Sequence, residues 1–518
     1  MSEDQGRRAS GTRGSEGERE DAWADVRGGR IADVLRGAGP EEGQGVALDP
    51  RGDEIVPPTA LVAAAAGTPE AIRGPTTWPW LSWLVIIAST LTVMALTLGE
   101  RSESPELDEQ ATSQTIRMQA RVLLVQDSIG ATPDLSGLDE LATTPRLVRE
   151  VAVVMAALDQ GDGARVAEAR RELLRIHTQR ARGARDDAPD SFDELLGRAL
   201  ATPLELDAAD RATLLDELGW FAELLLVRDL ADDDPAKVAL LAHARRSATL
   251  SGSIILLMVG GAMAGAALLV VGNRRRIAGV LRLGIAPKLC GTAIYLEAFA
   301  VYLFVFAAAA AASRLWPGGM LLPLVGTVGG AIAGMVWPMA RGVPWAVARR
   351  DLGLHGGEGV VKELGAGLVG YCMLLPFFAV GVGLMLATEA IAGAVLSGDG
   401  LTRPYHPEVV GLGDSGPLGL LVLLGLAGVF APVVEETMFR GALQRGLRRR
   451  LGMVSAVLVM AVIFAALHPQ GLLALPALAA LAVGFGMLRE WRDSLIAPMV
   501  AHGLHNGSLL LVTALMMW

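Results

Sequence analysis

Cysteine is almost missing from this chain: 518 residues hold two, Cys290 and Cys372. That excludes a disulfide framework, and two thiols lying in apolar runs read as small core residues rather than a metal pair. Aromatic residues are scarce too, at 5%. None interleave with a basic patch, so no nucleic-acid partner is expected. The N-terminus lacks a charged, then apolar, then small pattern and is not read as a cleaved signal peptide. No H-E-x-x-H occurs, and no repeat period indicates a solenoid.

Apolar residues are what the chain has in quantity. The sequence is 52% hydrophobic with mean hydropathy +0.42. That mean is high for a soluble protein and predicts several membrane spans. The net charge of −10 says little about partners, because the acids lie mainly outside the hydrophobic half.

Composition changes along the chain predict its organisation. Residues 1–77 are rich in Gly, Arg, Glu and Asp, lack an apolar period, and read as a disordered tail. Within it, I-A-D-V-L-R at 31–36 allows a transient helical turn. A first transmembrane helix follows at 78–98, with Trp78, Trp80 and Trp83 as an interfacial belt. In 100–249 charge returns and apolar residues recur at helical spacing, as at 148–158, 169–177 and 214–227. This predicts a soluble domain of five or six helices, with breaks near Pro133, 161–163, Pro189 and Pro235. His177 and His243 stand alone in it and read as solvated or packed.

A second span, 250–272, ends at Arg274, Arg275 and Arg276. Residues 273–518 then form a membrane-embedded core. Its spans are 290–312, 318–340, 365–395, 417 to beyond 440, 454–467, 472–488 and 495–511. Both 454–467 and 472–488 are short for a full crossing, so the turn His468-Pro469-Gln470-Gly471 is expected within the membrane, where re-entrant backbone can line a cavity. The segment 396–416 is polar, with His406 exposed, and Glu297 in the third span is expected to make a structural pairing or lie near the interface, with a place in the site as the alternative. The fold class expected is all-α: a polytopic membrane protein of about nine transmembrane helices, with an inserted soluble all-α domain and a disordered N-terminal tail. Basic runs at 274–276, 341–350, 445–450 and 489–492 fall on one side. The positive-inside rule then makes the N-terminus cytoplasmic, the 100–249 domain extracytoplasmic and the protein multi-pass in the cell (inner) membrane.

The polar residues inside the last apolar runs are the candidates for function, because such residues are costly in lipid. They occur in P-V-V-E-E-T-M-F-R-G at 432–441, F-A-A-L-H at 464–468 and H-G-L-H-N at 502–506. Glu436 and Arg440 are four apart, share a helix face and can pair. Glu435 lies roughly 100° round and is left free of that arginine. His502 and Asn506 present an imidazole and an amide from one face. At about 1.5 Å per residue, Glu435 lies roughly 20 Å and His468 roughly 27 Å from the basic run 448–450. By the same rise, His502 and Asn506 lie about 15 and 20 Å from 489–492. A free carboxylate, two imidazoles and an amide in one layer are the parts needed to activate a water and hold an oxyanion. The plainer readings are a snorkelling Arg440, a turn histidine at His468, and interhelical glue at His502 and Asn506. Phe439 and Phe464 read as packing residues, and His505, beside the third motif, as a supporting one.

The order E-E-x-x-x-R, F-x-x-x-H, H-x-x-x-N resembles the CPBP family, the CAAX-prenyl-protease and bacteriocin-processing group of intramembrane proteases also called Abi proteins. The resemblance covers the motif region 417–511. It implies an intramembrane endopeptidase acting within the bilayer on a membrane-associated or lipidated peptide or protein. Glu435 would be the water-activating base with His468 assisting. His502 and Asn506 would stabilise the tetrahedral intermediate, with Glu436 and Arg440 in support. Members are often described as metalloproteases. The resemblance leaves open a zinc held by Glu435, His468 and His502 and a metal-free, glutamate-activated water. Two non-proteolytic readings compete. A transporter of this size would be expected to show internal repeats, and none is seen. A scaffold or immunity protein would not need these groups at one depth.

The topology is testable by cysteine labelling of intact cells. A probe at Ser191 is expected to be reached and one at Ser10 protected; the reverse pattern would overturn the orientation.

Overall fold

Within a bilayer no water satisfies backbone groups, so each span must close its own hydrogen bonds. The computed structural model describes residues 78–103, 105–159, 163–169, 171, 175, 191–281, 283–285, 293–316, 321–395 and 416–517, and among these there is helix and no strand. Among the described residues, eight helices are long and apolar enough to cross a membrane, and the 14-residue Met453–Ala466 is a shorter apolar ninth. The chain is a multi-pass all-α membrane protein. The expectations for 1–77, His177, Pro189, Cys290 and His406 lie outside the described residues.

Helix α1 (Pro79–Glu103) runs past the predicted end of the first span. Then come α2 (Pro105–Ser128), α3 (Pro145–Ala157), α4 (Ser191–Ala201), α5 (Ala208–Leu218) and α6 (Trp220–Val227). These last five share a core that includes Ile116, Val153, Leu196, Leu214 and Phe221. The run 214–227, expected as one helix, is two. Gly219 sits between them at φ +52°, a conformation that costs a glycine little and other residues much.

The largest departure concerns the second span. Helix α7 runs unbroken from Pro235 to Ile277, 43 residues, so the expected start of the second span at 250 falls inside a helix. Asp234 caps it by accepting from the Ala236 N–H at 2.8 Å, and Pro235 fills its first turn. Arg245 donates to Ser128 Oγ at the end of α2. One helix of about 65 Å thus joins the α2–α6 cluster to the basic residues 274–276.

The remaining helices are α8 (Ile294–Leu315), α9 (Leu321–Ala340), α10 (Trp345–Leu352) and α11 (Val360–Val395). They are followed by α12 (Gly416–Leu447), α13 (Met453–Ala466), α14 (Leu475–Arg492) and α15 (Ile496–Met517). Of the two spans expected to be short only α13 is so; the helical run containing α14 spans Leu472–Arg492, 21 residues. Glu297 makes a structural pairing, accepting from Trp337 Nε1 at 3.1 Å and facing Arg341 at 3.4 Å. Arginines at the basic turns are partly spent on buried acids: Arg445 pairs with Asp351, and Arg492 with Glu363 at 2.8 Å.

Two contacts fix how α7 and α15 sit. A Cβ on Gly265 of α7 would come 1.8 Å from the carbonyl oxygen of Cys372 on α11, so the two backbones touch there. At the far end of α15, buried Arg121 of α2 donates to the Met516 carbonyl at 3.0 Å and stacks over Trp220. Burial, with Arg117 nearby, lowers the Arg121 guanidinium to about 10, so it keeps its charge at neutral pH. The α2–α6 cluster therefore meets the end of α15 remote from the basic turn at 489–492.

Gly265→Ala is expected to destabilise the protein by about 1–3 kcal/mol through overpacking, read as a lower thermal midpoint in detergent. Shortening Cys372 to alanine should not restore it, because the obstruction is a backbone carbonyl. An unchanged midpoint for Gly265→Ala would contradict this contact.

Candidate active site

The site begins with a departure from regular helix in α12. Two of its stretches, Leu426–Phe430 and Glu436–Gln444, are π-helical, with the α-helical turn Ala431–Glu435 between them. Such bulges leave carbonyls without their usual donors and are frequent at functional sites. Here the sequence gives a local reason. Ala431 N–H bonds to Leu426 O, and the next residue, Pro432, has no N–H to offer Ala427 O. Asn506 of α15 supplies the missing donor, its Nδ2 lying 2.9 Å from Ala427 O. The helices approach this closely because residue 503 is glycine: a Cβ there would come 2.3 Å from Gly428 O.

The bulge places Glu435 and Glu436 in different surroundings. Glu436 is fully buried, and its Oε1 accepts from Arg440 Nη1 at 3.0 Å and from His502 Nδ1 at 2.8 Å. Arg440, also fully buried, turns Nη2 to the Ala482 carbonyl at 3.2 Å and lies over the rings of Phe464 and Phe485. A guanidinium in lipid is tolerable when paired, bonded and stacked in this way.

Glu435 keeps part of its side chain accessible, 24% against 0% for Glu436. Its Oε2 has no hydrogen-bond partner. That oxygen faces His468 Nε2 at 3.8 Å and His502 Nε2 at 3.9 Å. Both rings are oriented from behind. His468 Nδ1 donates to the Phe464 carbonyl at 2.6 Å, and its ring packs on Phe464. His502 stacks on Phe485 while its Nδ1 donates to Glu436. In the neutral rings this leaves an Nε2 lone pair facing Glu435 from each side. Distances of 3.8 and 3.9 Å are too long for direct hydrogen bonds and suit a bridging water.

Thus Glu435, Glu436, Arg440, His468 and His502 come together, and Asn506 reaches α12 one turn further along. His502 and Asn506 each have a partner of their own. The neutral His502 spends its proton on Glu436, and Asn506 spends one of its two N–H groups on Ala427. His505 points elsewhere: it is buried edge-on against Phe378 and Tyr371 of α11. Its support is to helix packing. Sequence reasoning missed Phe485, which lies in an apolar run with no polar signal, and Gly503, whose smallness inside the third motif was a signal available to it.

Glu435, His468 and His502 are suitable donor types for zinc. Their separations of 3.8 and 3.9 Å are wider than the edge of about 3.4 Å set by bonds of about 2.0–2.1 Å in a tetrahedral site. Among the described residues no set of three His, Cys, Asp or Glu is spaced to hold a metal ion. As placed, the residues do not fit the ion.

Arg440→Ala leaves Glu436 with its charge buried and its guanidinium partner gone. Loss of one partner of such a pair is expected to cost about 3–5 kcal/mol. Arg440→Lys should recover only part, since an ammonium cannot bond both acceptors and stack on two rings. Wild-type thermal stability and activity in Arg440→Ala would refute the role of this pair.

A model of a known family matches part of the chain. Residues 417–508 fit the family described as Rce1-like, type II CAAX prenyl endopeptidase Rce1-like. No curated protein and no solved structure matches the chain. The matched segment contains all the polar site residues named above, so the C-terminal part of this multi-pass membrane protein carries the CAAX-protease family resemblance that its motifs implied.

Proposed function

We propose that this protein is an intramembrane endopeptidase that hydrolyses a peptide bond of a membrane-associated or lipidated protein, using a water activated by Glu435. The observation that carries the reading is the unpartnered Glu435 Oε2 facing two imidazole nitrogens whose rings are each held from behind. The reading includes a cell (inner) membrane location with the N-terminus cytoplasmic.

A water between Glu435 and His468 gives its proton to the carboxylate as its oxygen attacks the scissile carbonyl carbon. The carbon–oxygen bond forms and the carbonyl becomes an oxyanion. Asn506 retains a second N–H for that oxygen. His502 donates to it only as the imidazolium, with its Nδ1–H held by Glu436. Collapse of the intermediate breaks the carbon–nitrogen bond. Glu435 returns its proton to the leaving amine, and a carboxyl and an amine product remain. His468 keeps the water in place through Nε2 because Phe464 O fixes its other nitrogen.

Cleavage of a membrane-anchored peptide by purified protein in detergent tests this. Glu435→Gln keeps size and hydrogen bonding but removes the base, so it should insert, fold and bind substrate yet fail to cleave. Asn506→Ala is expected to retain a small residual rate, about 10²–10³ below wild type. Wild-type cleavage by Glu435→Gln would defeat the mechanism. Metal analysis of the wild type beside Glu435→Ala should find no stoichiometric zinc; one zinc per chain, lost in the variant, would replace the water-only reading.

A further inference from the structure

Beyond the site, α12 and α14 are joined by a polar seam with a period of four on both sides. Arg440 Nη2 donates to Ala482 O. Gln444 Nε2 donates to Gly486 O at 3.1 Å and to Glu490 Oε1 at 3.0 Å. Arg448 Nε pairs with Glu490 Oε1 at 3.0 Å. Residue 486 must be small here: a Cβ on it would meet Met460 Cε at 2.9 Å and Gln444 Oε1 at 3.2 Å. Gln444 is fully buried and Glu490 is 1% exposed. Glu490 also receives two backbone donors from the segment that follows α7: Ile285 N–H to its Oε2 at 3.1 Å, and Gly284 N–H to its carbonyl at 2.9 Å.

The middle rung of the seam lies where the π stretch ends. Gln444 is the last residue of Glu436–Gln444. A π stretch is rare because it is less favourable than α-helix, so it persists only where outside bonds hold it. Relaxation to α-helix would shift the register across it by one residue. One residue is about 100° of rotation. That would carry Glu436 away from His502 Nδ1.

We propose that Glu490 is a positioning residue for the reaction. Through Gln444 it pins the end of the π stretch, and so holds Glu436 on His502 and His502 in the tautomer that turns Nε2 to Glu435. It touches none of the reacting groups. In its catalytic consequence the proposal rests on the protease reading above; its effect on His502 does not.

The test uses the full-length protein with two readouts. Glu490→Ala and Gln444→Ala are made singly and together, with Glu490→Gln as the conservative variant. Peptide cleavage gives kcat and KM, and 15N-histidine labelling reports the tautomer of each of the seven histidines. Either alanine variant is expected to lower kcat by up to about 10²-fold with KM little changed. The double variant should fall no further than the worse single, since both break one contact. Glu490→Gln, which keeps an acceptor for Gln444, should be intermediate. His502 should lose its pure Nδ1–H tautomer in the alanine variants, while His468, held by Phe464 O, should not change. Wild-type kcat and tautomer in Glu490→Ala would overturn the proposal. So would additive losses with an unchanged His502 signal, the mark of a merely structural role. If Glu490→Ala fails to insert, Gln444→Ala decides on the same criteria. If the wild type does not cleave, the protease reading fails, and the His502 tautomer still judges this inference.

Discussion

The contact on which the rest depends is that of Glu436 with Arg440 and His502. A carboxylate and a guanidinium, both without solvent exposure, are held in a helix that crosses the membrane. Removing two charges from water is repaid only by close geometry and by hydrogen bonds to the groups that remain. The surroundings read as a response to that demand. Arg440 has a carbonyl for its second nitrogen and two aromatic faces for its plane. Glu436 shares one oxygen between the arginine and an imidazole. Phe464 and Phe485, apolar residues in themselves, are thereby fixed against Arg440, and they in turn pack against His468 and His502. One pairing orders most of the site.

The adjacent carboxylate has the opposite character. Glu435 is one residue from a carboxylate bonded to Arg440 and His502, yet its own Oε2 is unbonded and its side chain is partly accessible. The change from α to π backbone falls between the two residues, so adjacent side chains meet different neighbours. Pro432 and Gly503 contribute at the backbone level. The proline leaves Ala427 O without a helical donor, and the glycine lets α15 come close enough for Asn506 to provide one. A residue named from its side-chain chemistry as an oxyanion donor thus also has a structural task, and that task sets how much of its amide is left for chemistry.

Much of this was legible from residue type and spacing. Long apolar runs predicted membrane helices because lipid leaves the backbone no alternative. The four-residue interval in Glu436 and Arg440 predicted their contact because helix geometry alone decides it. What could not be read depended on contacts between distant segments. No local signal shows that 250 continues the helix begun at Pro235, since both its charged and its apolar halves are good helix formers. Nor does a sequence show which of a histidine's two nitrogens meets a partner; in His502 it is Nδ1 that meets Glu436. Gly219 is the converse case. A lone glycine in an apolar run does not by itself announce a break, yet its positive φ ends one helix and starts the next.

The long α7 helix gives these local facts a wider setting. It begins in the α2–α6 cluster, crosses against α11 at Gly265, and ends at the basic residues before the segment that bonds to Glu490. The same cluster holds the far end of α15 through Arg121, and α15 bears His502 and Asn506. The cluster is therefore tied to both helices that frame Glu435, to α15 directly and to α12 by way of α7, Glu490 and Gln444.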